Sequence, residues 1–266
     1  MPTPAGEPGP RNPLFDLRGK VAIVTGGNGG IGLGIARGLA QAGADLAIAG
    51  RNQEKNAAAA AELEALGARV FSLKIDVTDA EQVRRMVAET VAALGGLDIM
   101  VANAGTNVRR APEEYSLADW HHIMDTNLTS VFACCQAAYP EFKRRGGGKI
   151  LAIGSMTSIL GFDVASVYAA TKGAVVQFAR SLASAWAKDN IQVNCILPGW
   201  INTELTQGAR RMRPDLHDTV VGRTPARRWG QPEDLAGAAV FYCSSASAFV
   251  TGTALPVDGG FSSSMF

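Results

Sequence analysis

The chain has 266 residues, 47% hydrophobic and 18% charged, with a net charge of +1. It is long enough to bury a sizeable core, and so even a charge balance points to neither nucleic acid nor an anionic membrane surface as a partner. Four cysteines (Cys134, Cys135, Cys195 and Cys243) lie in apolar stretches without metal-like spacing, and three histidines form no zinc pattern. This reads as a protein of a reducing cytoplasm with no metal centre.

The stretch "MPTPAGEPGPRNP" is rich in Pro and Gly and has no apolar segment. Residues 1–13 are therefore expected to be a disordered tail rather than a signal peptide. No apolar run approaches the roughly 20 residues of a membrane span. Beyond the tail, "KVAIVTG" is a short β-branched run typical of a strand buried on both faces. "IGLGIARGLAQAG" has helical periodicity and stops at Gly43. "ADLAIAG" is a second strand. "NQEKNAAAAAELEALG" is a helix with an Asn start signal, and "RVFSLKIDV" is a third strand. "TDAEQVRRMVAETVAALGG" opens with Thr78 and Glu81 at capping-box spacing, and "LDIMVANAG" is the fourth strand.

The next helix starts near "SLADW", with capping-box spacing from Ser116 to Asp119, and runs through "NLTSVFACCQAAYPEF". "GKILAIGS" is the fifth strand. A helix carrying Tyr168 and Lys172 follows to about residue 188, then "IQVNCILPG" as a sixth strand. An irregular segment leads to a helix in "QPEDLAGAAVFYCSS", with Pro232 suited to its first turn. "TALPVDGG" is a seventh strand. Strands alternating with helices imply parallel pairing through right-handed crossovers. The expected fold is a single doubly wound α/β domain of Rossmann type over residues 14–266, with a seven-stranded parallel sheet.

Between the first strand and first helix lies "TGGNGGIG", residues 25–32. Glycines there allow a tight turn and close backbone approach to a pyrophosphate, and the helix N-terminus favours the phosphates. Tyr168 and Lys172 sit four apart in "YAATK". That spacing puts them on one helix face, where the ammonium would lower the phenol pKa and make Tyr168 a usable proton donor and acceptor.

"TGGNGGIG", "NAG" at 103–105, Asn127, Ser155, "YAATK" and "PG" at 198–199 appear in the order and spacing of the short-chain dehydrogenase/reductase family, which the chain resembles from about Leu14 onward. The resemblance implies Tyr168 as general acid/base and Lys172 tuning it and holding the nicotinamide ribose. It implies Ser155 on the substrate oxygen and Asn127 completing a proton relay through water. Gly26, Asn28, Gly30, Ile31 and Gly32 would cradle the cofactor phosphates. Asp76 and Val77 would lie beside the adenine, with Asn103, Ala104 and Gly105 lining the cofactor. Pro198, Gly199, Ile201 and Thr203 would close the site on the far side.

NAD-preferring relatives usually carry an acid at the end of the second strand, where this chain has Gly50 followed by Arg51 and Asn52. A guanidinium suits a 2′-phosphate, so NADP(H) is favoured, with NAD(H) the alternative. The resemblance also implies a lid over residues 200–230 and a homotetramer. "NVRRAPEEYSLADW" and "RTPARRWGQPEDL" resemble the gluconate and deoxygluconate dehydrogenase branch. With the arginines of the lid and Arg109, they suggest an acidic small-molecule substrate, a sugar acid or polyol, touched by Arg109, Ser155, Tyr168 and Trp200. A ketoacyl-thioester or general carbonyl reductase, and a non-catalytic nucleotide sensor, stay open as alternatives.

Overall fold

In the computed structural model, β1 (Val21–Thr25) is buried along its whole length, as its unbroken apolar run requires. Its alternate residues feed two separate cores. Ala22 and Val24 face the one shared with α1 (Gly30–Gln41), while Val21 and Ile23 face the other. Residues 12–264 are described, so residues 1–11 of the expected tail lie outside the described residues. Pro13 opens a 3-10 turn, Pro13–Phe15, capped by the Asn12 side chain.

The chain then alternates through β2 (Asp45–Gly50), α2 (Gln53–Glu64), β3 (Val70–Lys74), α3 (Ala80–Leu94) and β4 (Ile99–Ala102). It continues through α4 (Leu117–Met124), α5 (Ser130–Arg145), β5 (Gly148–Ile153), α6 (Ser166–Trp186) and β6 (Ile191–Pro198). Last come α7 (Glu204–Met212), α8 (Leu216–Arg223), α9 (Ala236–Cys243) and β7 (Ala254–Val257). The seven strands form one parallel sheet in the order β3-β2-β1-β4-β5-β6-β7. The order reverses between β1 and β4, and a crevice opens there beyond the strands' carboxyl ends. Helices α3, α5 and α6 cover one face and α1, α2 and α9 the other.

Three local expectations need correction. The α3 start is capped by Asp79, which accepts from the Glu81 and Gln82 amides. The Thr78 hydroxyl instead donates to the Asp76 carboxylate at 2.8 Å. The helix expected to run unbroken from "SLADW" is split by a π-helical turn at Asp125–Thr129. Its Ser116–Asp119 capping box is present. The segment expected to be irregular holds α7 and α8, which pack a small core of Ala209, Leu216, Val220 and Trp229. Its arginine-rich composition hides that apolar spacing. The Arg210 guanidinium stands 4.5 Å from the Trp229 ring centre, and the His217 ring runs parallel to that of Trp229.

Candidate active site

The crevice at the β1/β4 switch point is a cleft of about 520 Å³. Its floor is the glycine turn after β1, where Gly26 and Gly30 hold φ of 63° and 50°, open to glycine and costly for other residues. Thr25 and Asn103 lock this turn. The Thr25 hydroxyl accepts the Asn103 and Ala104 amides at 3.0 and 3.1 Å. The Asn103 side-chain amide donates to the Thr25 carbonyl at 2.8 Å. The first amides of α1 then point into the cleft without intrahelical acceptors.

At the end of β2, Asn28 donates to Asn56 at 2.6 Å, and Asn56 donates to the Gly50 and Leu73 carbonyls. A Cβ on Gly50 would stand 2.4 Å from Asn28 Nδ2. A side chain at position 50 would therefore have to displace the Asn28 and Asn56 amides. Arg51 follows on the rim, exposed and without a hydrogen bond among the described residues. Across from it, hydrogen bonds from Thr78 hold the Asp76 carboxyl below its usual range, with Arg51 adding to the effect.

The deep end of the cleft joins β5 to α6. Ser155 follows β5, and its hydroxyl oxygen accepts the Thr157 amide at 3.1 Å. Tyr168 and Lys172 share a face of α6, with the ammonium 5.6 Å from the phenol ring centre. Lys172 is buried and donates to the Ile153 carbonyl at 2.7 Å. Burial pushes its pKa down to about 8. Burial pushes the Tyr168 phenol up, opposed by a hydrogen bond with Ser155 and by the charge of Arg109. Arg109 is thus a cation that pulls the phenol down. The Lys172 ammonium donates to the β5 carbonyl of Ile153 and still stands 5.6 Å from the phenol ring centre.

Asn127 lies in the π turn, a departure common at functional sites. Its side chain accepts the Thr106 amide at 2.7 Å and donates to the Thr106 carbonyl and the Thr171 hydroxyl. Its side chain pins the loop after β4 to α6. A Cβ on Gly105 would stand 3.4 Å from Asn127 Oδ1 and 3.6 Å from Lys172 Nζ, so loop, asparagine and lysine converge.

Of the residues expected from sequence, Gly26, Asn28, Gly30, Ile31, Gly32, Arg51, Asp76, Val77, Asn103, Ala104 and Gly105 line this cleft. So do Ser155, Tyr168, Lys172, Pro198, Gly199, Ile201 and Thr203. Asn52 does not: its side-chain oxygen caps α2 by accepting the Lys55 amide. Asn127 stands behind the lining. Arg109 is half-buried beside Tyr168, and burial holds its guanidinium below its ordinary pKa. Among the described residues it makes no hydrogen bond or ion pair. Trp200 lines a neighbouring cavity of about 160 Å³, between the turn after Ser155 and α8. Thr157 lines it too, with its hydroxyl buried and unpartnered. Lys55, Glu204 and Thr206 also line the large cleft and were missed. The one available signal was the position of Lys55 four residues after Arg51.

A glycine turn at the switch point, with tyrosine and lysine paired at its deep end, defines a nucleotide-dependent oxidoreductase of the doubly wound class. The family described as Enoyl-(Acyl carrier protein) reductase matches residues 26–262. The chain belongs to that branch of the short-chain dehydrogenase/reductase family. It is similar to the gluconate 5-dehydrogenase of Gluconobacter oxydans, 43% identical over 95% of this chain and 98% of the relative. It is similar to the 2-dehydro-3-deoxy-D-gluconate 5-dehydrogenase of Escherichia coli, 43% identical over 92% of this chain and 96% of the relative. Among solved structures, the gluconate 5-dehydrogenase of Burkholderia cenocepacia, in complex with NADP and tartrate, matches at TM-score 0.90. It is 42% identical, over 95% of this chain and 99% of that one.

Proposed function

We propose that this enzyme interconverts a secondary alcohol of a sugar acid and the corresponding ketone, with NADP(H) as the favoured cofactor. The half-buried, unpaired Arg109 guanidinium beside the Tyr168 phenol carries this reading. A desolvated cation without a partner is costly, and a substrate carboxylate relieves that cost with a geometry suited to the guanidinium fork. Relatives named for gluconate and its 2-dehydro-3-deoxy derivative support the same class.

The residues present fit a dinucleotide. The locked glycine turn offers amides to a pyrophosphate, Gly50 puts no carboxylate beside the ribose 2′ position, and Arg51 is free to meet a phosphate there. When bound, the nicotinamide supplies or accepts the hydride. Tyr168 gives its proton to the ketone oxygen in reduction and takes one from the alcohol in oxidation. The Ser155 oxygen accepts the Thr157 amide, and its hydroxyl proton, shared with the Tyr168 oxygen, can turn to the substrate oxygen. Lys172 uses one of three N–H groups on Ile153 and keeps two for the ribose and for a water on the relay. Asn127 positions the loop that faces the lysine. The buried Thr157 hydroxyl, with Arg213 and Arg223 lining the same small cavity, suits the hydroxylated chain of the substrate.

The lid is assigned to residues 200–230, on one domain that spans 14–266. The exposed Trp120 and Phe132 support a homotetramer formed on the α4–α5 face. Four buried free cysteines support a cytoplasmic location. Purified protein given NADP+ or NAD+ should oxidise gluconate-type acids with higher kcat/KM than the matched neutral polyols, and faster with NADP+. Equal efficiency on acid and polyol would overturn the substrate class. Preference for a ketoacyl thioester would favour a carbonyl reductase, and no hydride exchange with any partner would leave a sensor.

A further inference from the structure

One ion pair crosses the mouth of the large cleft. The Lys55 ammonium donates to both oxygens of the Glu204 carboxylate, at 2.8 and 2.7 Å. Lys55 stands in the first turn of α2, its backbone fixed by the Asn52 cap, four residues after Arg51. Glu204 is the first residue of α7. Both side chains line the same cleft as Arg51. The pair therefore ties the lid side to the wall where a ribose 2′ substituent would lie. Two cations flank that position, and one carboxylate reaches across to one of them.

We infer that Lys55 is a second ligand for a phosphate on the adenosine ribose, and that Glu204 holds its place until that phosphate arrives. This rests on the NADP(H) reading above. Both partners are exposed, at 48% for Lys55 and 82% for Glu204, so the pair is held weakly and exchanges readily. A ribose phosphate carries about −1.5 to −2 charges, more than the single carboxylate, and Arg51 shares in binding it. A ribose hydroxyl carries none and leaves the pair intact. After exchange Glu204 keeps a favourable position at the positive end of α7, so breaking the pair leaves no stranded charge. Cofactor discrimination would then arise on both sides of the cleft: attraction from α2 and Arg51, and a competitor on α7 that only a phosphate displaces.

Equilibrium dissociation constants for NADP+ and NAD+, from calorimetry or tryptophan quenching, test this without turnover. Lys55→Ala should weaken NADP+ by about 10-fold, and Glu204→Gln should tighten it by about 3-fold. Both should move NAD+ by less than about 2-fold. In the Lys55→Ala background, Glu204→Gln should add nothing, because its competitor role is already gone. Equal shifts for the two cofactors, or additive effects in the double variant, would overturn the inference. Arg51→Ala separates the two levels. If it changes NADP+ binding while Lys55→Ala and Glu204→Gln do not, this inference alone fails. If wild type binds both cofactors equally and Arg51→Ala changes neither, the cofactor reading fails with it.

Discussion

The two edges of the sheet make an instructive pair. Each carries a cavity and a lysine whose pKa burial pushes down to about 8. At the carboxyl edge it is Lys172 on α6, in the 520 Å³ cleft. At the amino edge it is Lys149 on β5, in a cavity of about 400 Å³. Their surroundings differ. Beside Lys149, Asp98 already satisfies Arg145 at 3.0 Å, Lys20 at 3.5 Å and the Val21 amide at 3.0 Å. Lys149 itself donates to Ser247. The amino edge holds a closed network around one carboxylate. The carboxyl edge holds a phenol and a serine hydroxyl that answer each other, with open helix amides and a guanidinium that has no partner among the described residues. A depressed lysine in a pocket does not by itself make an active site. Convergent groups with bonds left to make distinguish this one.

The sharpest way to break this contrast is to remove the reacting proton. Tyr168→Phe should lower kcat by about 10²- to 10⁴-fold while leaving the cofactor dissociation constant nearly unchanged. Lys149→Met, at the other edge, should leave kcat within about 2-fold. Steady-state kinetics with cofactor titration measure both. Comparable losses in the two variants would mean that the edges are not chemically distinct.

Next in size is the guanidinium left without a partner. Arg109→Gln should raise KM for a sugar acid by about 10- to 100-fold, as expected for a charge-assisted bond, and change KM for the matched polyol little. It should also raise the Tyr168 apparent pKa, because the charge of Arg109 no longer opposes burial. A uniform loss on acid and polyol would make Arg109 a structural residue of the loop instead.

Much of the carboxyl edge was legible because it is written locally. The glycine turn, the strand that feeds it and the Tyr168–Lys172 spacing each occupy a few consecutive residues, and the βα rhythm fixes which edge they share. What was hidden depends on partners far along the chain. The π turn at Asn127 has no composition signal. Its side chain instead meets Thr106 and Thr171, 21 and 44 residues away. The Lys55–Glu204 pair joins residues 149 apart. Thr78 fits the capping pattern as well as Asp79 does, and the structure places the cap on Asp79. The tuning of Tyr168 by its helical neighbour follows from spacing, but the contribution of Arg109, 59 residues earlier, does not.

The smallest effect is one the two edges share. A lysine held at about 8 in the folded chain and near 10.4 when unfolded leaves the unfolded state with more bound protons between those values. Its contribution to stability therefore rises with pH across that window. The same sign applies to Lys172 and Lys149. The buried cysteines oppose it, since burial pushes Cys134, Cys195 and Cys243 up to about 12, and so does Tyr168. A bare pH–stability curve would mix these groups. The difference between wild type and each Lys→Met variant cancels the shared background. Measured by thermal unfolding from about pH 8 to 10, wild type should gain on Lys149→Met and on Lys172→Met alike, by roughly 2 °C or more. A gain at one edge alone would show that the other lysine finds a compensating partner in solution. The chemical asymmetry of the edges would then extend to their electrostatics.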